Sequence, residues 1–218
     1  MNTVHVRPLL CLFDLDGTLI DSEEGIFAGI RHALGRLEIP VPAENVLRQW
    51  IGPPLRHNFA SVLDADRVED GVSLYREYFE ATGWREHSVY ADIPELLASL
   101  KADGHTLVVV TSKIDVHAHR IIEALPFGHL FSATYAAKPD SMHSEKASMI
   151  AAALADFAVA ADAAVMIGDR HFDIDGARAN GVRGIGVLWG FGDADELRNA
   201  GASAIVRTAL ELRQALGG

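Results

Sequence analysis

The stretch Leu9-Leu10-Cys11-Leu12-Phe13-Asp14-Leu15-Asp16-Gly17-Thr18 decides how the rest of the chain is read. Five consecutive apolar residues leave no polar face, so they suit a strand covered on both sides, as in the middle of a parallel sheet. The run stops abruptly at Asp14. The same pattern returns at 106–110 (TLVVV, then Thr111-Ser112-Lys113) and at 163–167 (AAVMI, then Gly168-Asp169), and more weakly at 184–188 and 204–206. Helical patterns lie between these runs, opening at Asp92-Ile93-Pro94, Asp115, Glu145, Asp173 and Asp193. Several close on glycine (Gly104, Gly181, Gly201), the residue that suits a left-handed helix cap. Strand and helix in alternation mean βαβ units, so the expected fold is α/β with a parallel sheet.

From Asp21 to Tyr90 the rhythm changes. Only amphipathic helical patterns occur there (GIFAGIRHALGRL, AENVLRQWI, VSLYREYFEATGW), punctuated by Pro40, Pro42, Pro53 and Pro54. The segment reads as an all-helical domain of four-helix type, inserted after the first strand. The expected division is a core of 1–20 and 92–218 with an insertion of 21–91. Tyr75, Tyr78 and Phe79 are spaced like one helix face and are expected to pack the insertion rather than hold a cofactor.

A chain of 218 residues and 23.5 kDa allows one sizeable core plus such an insertion. Its 49 % apolar and 22 % charged composition is that of an ordinary globular protein. A net charge of −11 argues against binding nucleic acid or an anionic membrane through a general basic field. Cys11 is the sole cysteine, which forbids an intrachain disulfide and suits the cytoplasm. Met1 to Pro8 lacks the apolar run of a secretory signal, and the alanine-rich 151–167 is too short for a membrane span.

What ends each strand carries the chemistry, because ligands of open α/β sheets collect beyond the carboxyl ends of the strands. Asp14, Asp16, Asp169 and Asp173 would meet there with Thr111. Carboxylates so gathered repel unless a cation sits among them, and hard oxygen ligands without His or Cys point to Mg²⁺. Asp14 is placed to attack phosphorus, and Asp16 to protonate the leaving oxygen and later take a proton from water. Thr111, with Ser112, is placed to bind phosphoryl oxygens. Asp169 completes the metal shell, and Asp173 supports it. Charge neutralisation also calls for a lysine, for which Lys146, opening the helix KASMIAAAL, is the choice.

FDLDGTLIDS, VVVTSK, a lysine opening a helix, and MIGDRHFDIDGA occur in this order in the haloacid dehalogenase-like hydrolases. The chain resembles their phosphoglycolate phosphatase-like branch, whose helical cap follows the first motif; IGPPL and GVLWGFG also look like that branch. The resemblance covers nearly the whole chain. It implies a Rossmann-like core, a mobile cap, and an Mg²⁺-dependent aspartyl-phosphate mechanism, with Mg²⁺ held partly by the backbone carbonyl of Asp16. Two positions depart from the branch. Many relatives place the lysine in a Lys-Pro pair, here Lys138-Pro139, which leaves Lys138 as the alternative to Lys146. Arg170 stands where many have a small polar residue.

Alone, each residue has a plainer reading: Asp14 a strand-end turn, Thr111 a helix N-cap, Lys146 a surface lysine, Asp173 the N-cap of its helix, Arg170 a salt-bridged rim residue. Together they outweigh it. A calcium loop counted from Asp14 fails, because Leu19 and Gly25 stand where Gly and Glu are required. His117 and His119, two apart on a helix, make a poor metal pair, and the other histidines, His143 and His171 among them, default to the surface. Gly184, Gly186 and Gly190 lack the spacing of a dinucleotide loop. Cys11 is expected to be a buried apolar filler. The expected function is a phosphatase for a small phosphorylated metabolite, as a monomer or homodimer. Arg56, following Gly52-Pro53-Pro54, is a candidate for the substrate's far end. A phosphomutase, a nucleotidase, a pyrophosphatase and a non-catalytic phospholigand-binding protein remain open.

Overall fold

A computed structural model of the protein describes residues 7–140 and 145–217; the first six residues and His143 lie outside them. Along the chain, β1 (Leu10–Phe13) is followed by β2 (Ile20–Asp21), by α1 (Glu23–Arg36), α2 (Glu44–Gln49), α3 (Leu55–Phe59) and α4 (Val68–Ala81), and by β3 (Ser88–Val89). Then come α5 (Ile93–Ala102), β4 (Thr106–Ile114), α6 (Asp115–Ala124), β5 (Phe131–Ala137), α7 (Lys146–Asp156) and β6 (Ala164–Gly168). The chain closes with α8 (His171–Ala179), β7 (Arg183–Val187), α9 (Ala194–Ala200), β8 (Ala204–Val206) and α10 (Ala209–Gly217).

Six strands make one parallel sheet in the order β5-β4-β1-β6-β7-β8. The chain builds outward from β1 to one edge, returns across it at β6, and builds to the other. Beside β1 the strand order therefore reverses, and a crevice opens at the carboxyl end. Successive side chains of β1 point to opposite faces, as the strand period demands. Cys11 and Phe13 join one apolar cluster, Leu10 and Leu12 another, and all four are buried. Burial pushes the Cys11 thiol up to about 12, so it serves as packing and not as a nucleophile.

The helices start and stop near the expected places. Asp193 caps α9 by accepting from the amides of Asp195 and Glu196, and Gly104, Gly181 and Gly201 all take positive φ. Several expectations needed correction. The segment 21–90 was expected to hold no strand, yet Ser88–Val89 pairs antiparallel with Ile20–Asp21, tying the two ends of the insertion together. The edge strand β5 and the short helix α3 carry too little periodicity to be seen in advance. Asp173 is the third residue of α8, not its N-cap, and accepts the amide of Arg170. His105 is buried, its Nδ1 accepting the amide of Leu9. No described helix is long and apolar enough to cross a membrane.

The helices α1–α4 sit over the crevice. Tyr75 and Phe79 stack at 5.5 Å and are buried, as their spacing implied. Arginines cross between insertion and sheet, and each reaches a backbone carbonyl. Arg170 donates to Ile51, Arg120 to Glu80 at 3.0 Å, and both Arg56 and Arg76 to Pro139.

Candidate active site

Beyond the last residue of β1 the amide of Asp14 still bonds Ile167 of β6 at 2.9 Å, so the sheet fixes its backbone. The turn that follows depends on Gly17, at φ +82°, where a Cβ would come within 2.2 Å of Asp169 Oδ2. Only a glycine lets the first loop close down on Asp169. From the other side the amide of Phe191 donates to Asp169 Oδ2 at 2.7 Å. A Cβ at Gly192 would meet the Asp169 carbonyl at 1.9 Å. The segment Gly190-Phe191-Gly192 thus packs closely on Asp169.

Lys146 opens α7 and is buried. Its ammonium lies 2.7 Å from Asp14 Oδ1 and 2.6 Å from Asp173 Oδ1, and donates to the Val110 carbonyl at 2.8 Å. Lys138 is exposed at the rim of the groove. The carboxylates of Asp14, Asp169 and Asp173 place ligand oxygens within 4.8 Å of one another, all three residues buried. Three carboxylates against one ammonium leave a formal charge of −2. Burial first, and the neighbouring carboxylates after Lys146 has opposed them, push Asp14 up to about 7; burial and the same neighbours push Asp169 well above the usual carboxylate range. Asp169 Oδ1 is buried without a hydrogen-bond partner among the described residues. A divalent cation with oxygen ligands answers all three observations: it neutralises the residual charge, relieves the repulsion and partners the orphan oxygen.

Asp16 does not join that cluster. Its side-chain Oδ2 pairs with Lys113 Nζ at 3.0 Å, both side chains nearly buried. The expectation of a fourth carboxylate around the cation is corrected accordingly: Asp16 already has a cation of its own. Lys113 is the site residue that sequence reasoning passed over, although it ends the motif Thr111-Ser112-Lys113. The strand does not stop at Val110; it runs to Ile114, with an irregularity in its pairing to β5 between Thr111 and Ile114. Such a break re-aims side chains. Here it sends Lys113 to Asp16 and under the ring of Phe79, 4.7 Å from its centroid.

Thr111 is buried at the floor of the groove, its hydroxyl accepting the amide of Lys113 at 3.1 Å, and is no helix cap. Ser112 Oγ is buried without a partner among the described residues. Arg56 lines the groove but is paired with Glu69 at 2.6 Å. Arg170 is salt-bridged to Glu196 at 2.9 Å, as expected of a rim residue. His117 is buried beside Phe79 while His119 is exposed on Asp115, so the two make no metal pair. Burial, then Lys113, drives His117 down to about 4, leaving it neutral.

The family model of the haloacid dehalogenase-like hydrolases matches residues 11–187, taking in every strand-end group just described. The chain belongs to that family. Among its relatives, the 5'-nucleotidase of Pseudomonas aeruginosa is 42 % identical over 207 residues, 94 % of each chain. The tyrosine-protein kinase PtkA of Mycobacterium tuberculosis is 36 % identical over 212 residues, 96 % of this chain and 73 % of that one. A haloacid dehalogenase-like hydrolase from Streptococcus pneumoniae superposes with a TM-score of 0.90 at 33 % identity, over 96 % and 98 % of the two chains. For a haloacid dehalogenase-like hydrolase the six-stranded parallel sheet with flanking helices is the fold expected from the motifs.

Proposed function

We propose that this protein is an Mg²⁺-dependent phosphatase of a small phosphomonoester, working through an aspartyl phosphate on Asp14. The observation that carries the reading is the juxtaposition of Asp14, Lys146, Asp169 and Asp173 around one point, with Asp16 two residues from the nucleophile. Two of the relatives just described, the nucleotidase and the tyrosine kinase, are named for chemistry at phosphoryl groups, which supports it further.

In this reading Asp14 Oδ attacks phosphorus and the phosphate–ester oxygen leaves. Asp16 supplies the leaving oxygen's proton, and then takes one from the water that hydrolyses the acyl phosphate. Thr111 and Ser112 donate hydroxyls to the phosphoryl oxygens, and Lys146 balances their charge. Asp14, Asp169, Asp173 and the Asp16 carbonyl would hold Mg²⁺, which supplies charge neutralisation for the transferring group. The helices of 21–91 act as a cap that closes over the groove and excludes water.

The direct test is phosphate release from a panel of phosphorylated metabolites, including phosphoglycolate and nucleoside monophosphates, with and without metal. EDTA is expected to silence turnover and Mg²⁺ to restore it; full activity after exhaustive chelation would sink the metal reading. Lys113 tests the acid–base role. Lys113→Met keeps the stem beneath Phe79 but removes the partner that holds the Asp16 carboxyl in place, so kcat/KM should fall about 10²-fold, in the range of an acid–base group's contribution. Steady-state kinetics on one good substrate check this, with Lys113→Arg retaining most of the activity.

A further inference from the structure

The groove above Asp14 runs from Thr111 and Ser112 at the strand end out to Trp50, Leu55, Arg56 and Arg76 on the insertion. Its floor is polar and belongs to the sheet. The wall contributed by the insertion is mostly carbon, with Trp50, Leu55, Val72 and Phe79 among its members. The charged side chains that the insertion adds to this lining are Arg56 and Arg76.

These two come from different helices, α3 and α4, and converge: both donate to the one carbonyl oxygen of Pro139, Arg56 at 2.8 Å. A single carboxylate, Glu69, takes two bonds from Arg56, at 2.6 and 2.9 Å. Arg56 is thus matched by Glu69, with Asp140 also acting on it, whereas Arg76 turns its guanidinium to the neutral Pro139 carbonyl and feels Glu69 and Glu80 only at a distance. Burial, and then the charge of Arg56, work against the charge on half-buried Arg76, which a bound oxyanion would relieve. Paired guanidinium forks are well matched to carboxylate or phosphate.

We propose that the substrate's leaving group is an apolar body ending in a second oxyanion, with Arg76 and Arg56 as the receptor for that end. The assignment rests on the phosphatase reading and narrows it. A polyol would turn its hydroxyls against carbon, where they lose water without gaining partners. A terminal amine would meet two like charges. An apolar middle segment is favoured by the wall, and a site that rewards a specific end group discriminates strongly against its absence.

The test uses the full chain with Mg²⁺ and three primary-alcohol phosphates of similar intrinsic reactivity: 4-(phosphonooxymethyl)benzoate, benzyl phosphate and glucose 6-phosphate. The expected order of kcat/KM is carboxybenzyl above benzyl above glucose, each step about tenfold or more. In Arg76→Gln, confirmed folded by circular dichroism, the ratio of carboxybenzyl to benzyl should fall toward unity, with Arg76→Lys between. Glucose 6-phosphate turned over as well as benzyl phosphate, or a ratio unmoved by Arg76→Gln, overturns the assignment while leaving a working phosphatase. Silence on all three with activity on p-nitrophenyl phosphate also overturns it. Silence on p-nitrophenyl phosphate and the metabolite panel as well removes the phosphatase reading itself.

Discussion

Asp14→Asn is expected to release no measurable phosphate from any substrate, a loss of at least about 10³-fold, because an amide cannot take up the phosphoryl group. The replacement is isosteric and its backbone is held by Ile167, so the fold should survive. Turnover within tenfold of the unaltered protein would remove Asp14 as the nucleophile. The same variant has a thermodynamic signature. Burial, then the charge of Asp173 working against that of Lys146, lifts Asp14 from an ordinary 3.8 to about 7. A carboxyl raised on folding contributes stability that is complete below its unfolded value and is lost as pH rises through the folded one. Metal-free protein should therefore lose Tm between about pH 4 and pH 7, and Asp14→Asn should lose less. Calorimetry in EDTA across that window checks it; identical slopes would show that Asp14 is not strained by its neighbours.

Lys146→Ala carries the second large effect, on activity and on stability together. Its ammonium bridges Asp14 and Asp173, at 2.7 and 2.6 Å, inside a buried cluster. Removing one partner of a buried ionic group leaves uncompensated charge, which costs about 3–5 kcal/mol. In the proposed mechanism it also removes the cation facing the phosphoryl oxygens, about 10²–10³-fold in kcat. Lys138→Ala, at an exposed position, should cost far less on both counts. Urea unfolding and steady-state kinetics on the two variants decide between the lysines, and the reverse order would mean that Lys138 is the phosphate ligand. Added Mg²⁺ should restore part of the stability of Lys146→Ala, since either cation can neutralise the carboxylates.

The parallel sheet was legible because its central strands are buried on both faces and therefore uninterrupted by polar residues. β5, at an edge, mixes Ser132, Thr134 and Tyr135 into its run and gives no such signal. Asp14, Asp169 and Lys146 could be placed from sequence because each sits at the junction of an apolar run or helix start with a polar residue, and the topology brings those junctions together. Lys113 could not. Its position depends on a local break in strand pairing, and its partner on the insertion, Phe79, reads in sequence as simple packing. Asp173 stands beside Lys146 but at the third position of α8 and not at its N-cap, since the helix starts three residues earlier than its acidic residue implies. Arg76 was invisible as a groove residue for a related reason: an arginine on an amphipathic helix reads as solvated until the facing surface is known.

The four arginines that cross between insertion and sheet all grasp peptide oxygens: Ile51, Glu80 and, twice, Pro139. A neutral acceptor has consequences that a carboxylate would not. Attraction between an ion and a dipole is already short-ranged, so ionic strength has less to screen than in an ion pair. The receiving atom is present whatever side chain occupies the position, and its neighbours along the chain offer the same atom a few ångströms away. The carbonyls themselves thus make no demand on the side chain of the receiving residue, although Arg120 also lies over the Trp84 ring at 3.9 Å. Substitutions on the receiving side should drift freely, while the guanidiniums should not.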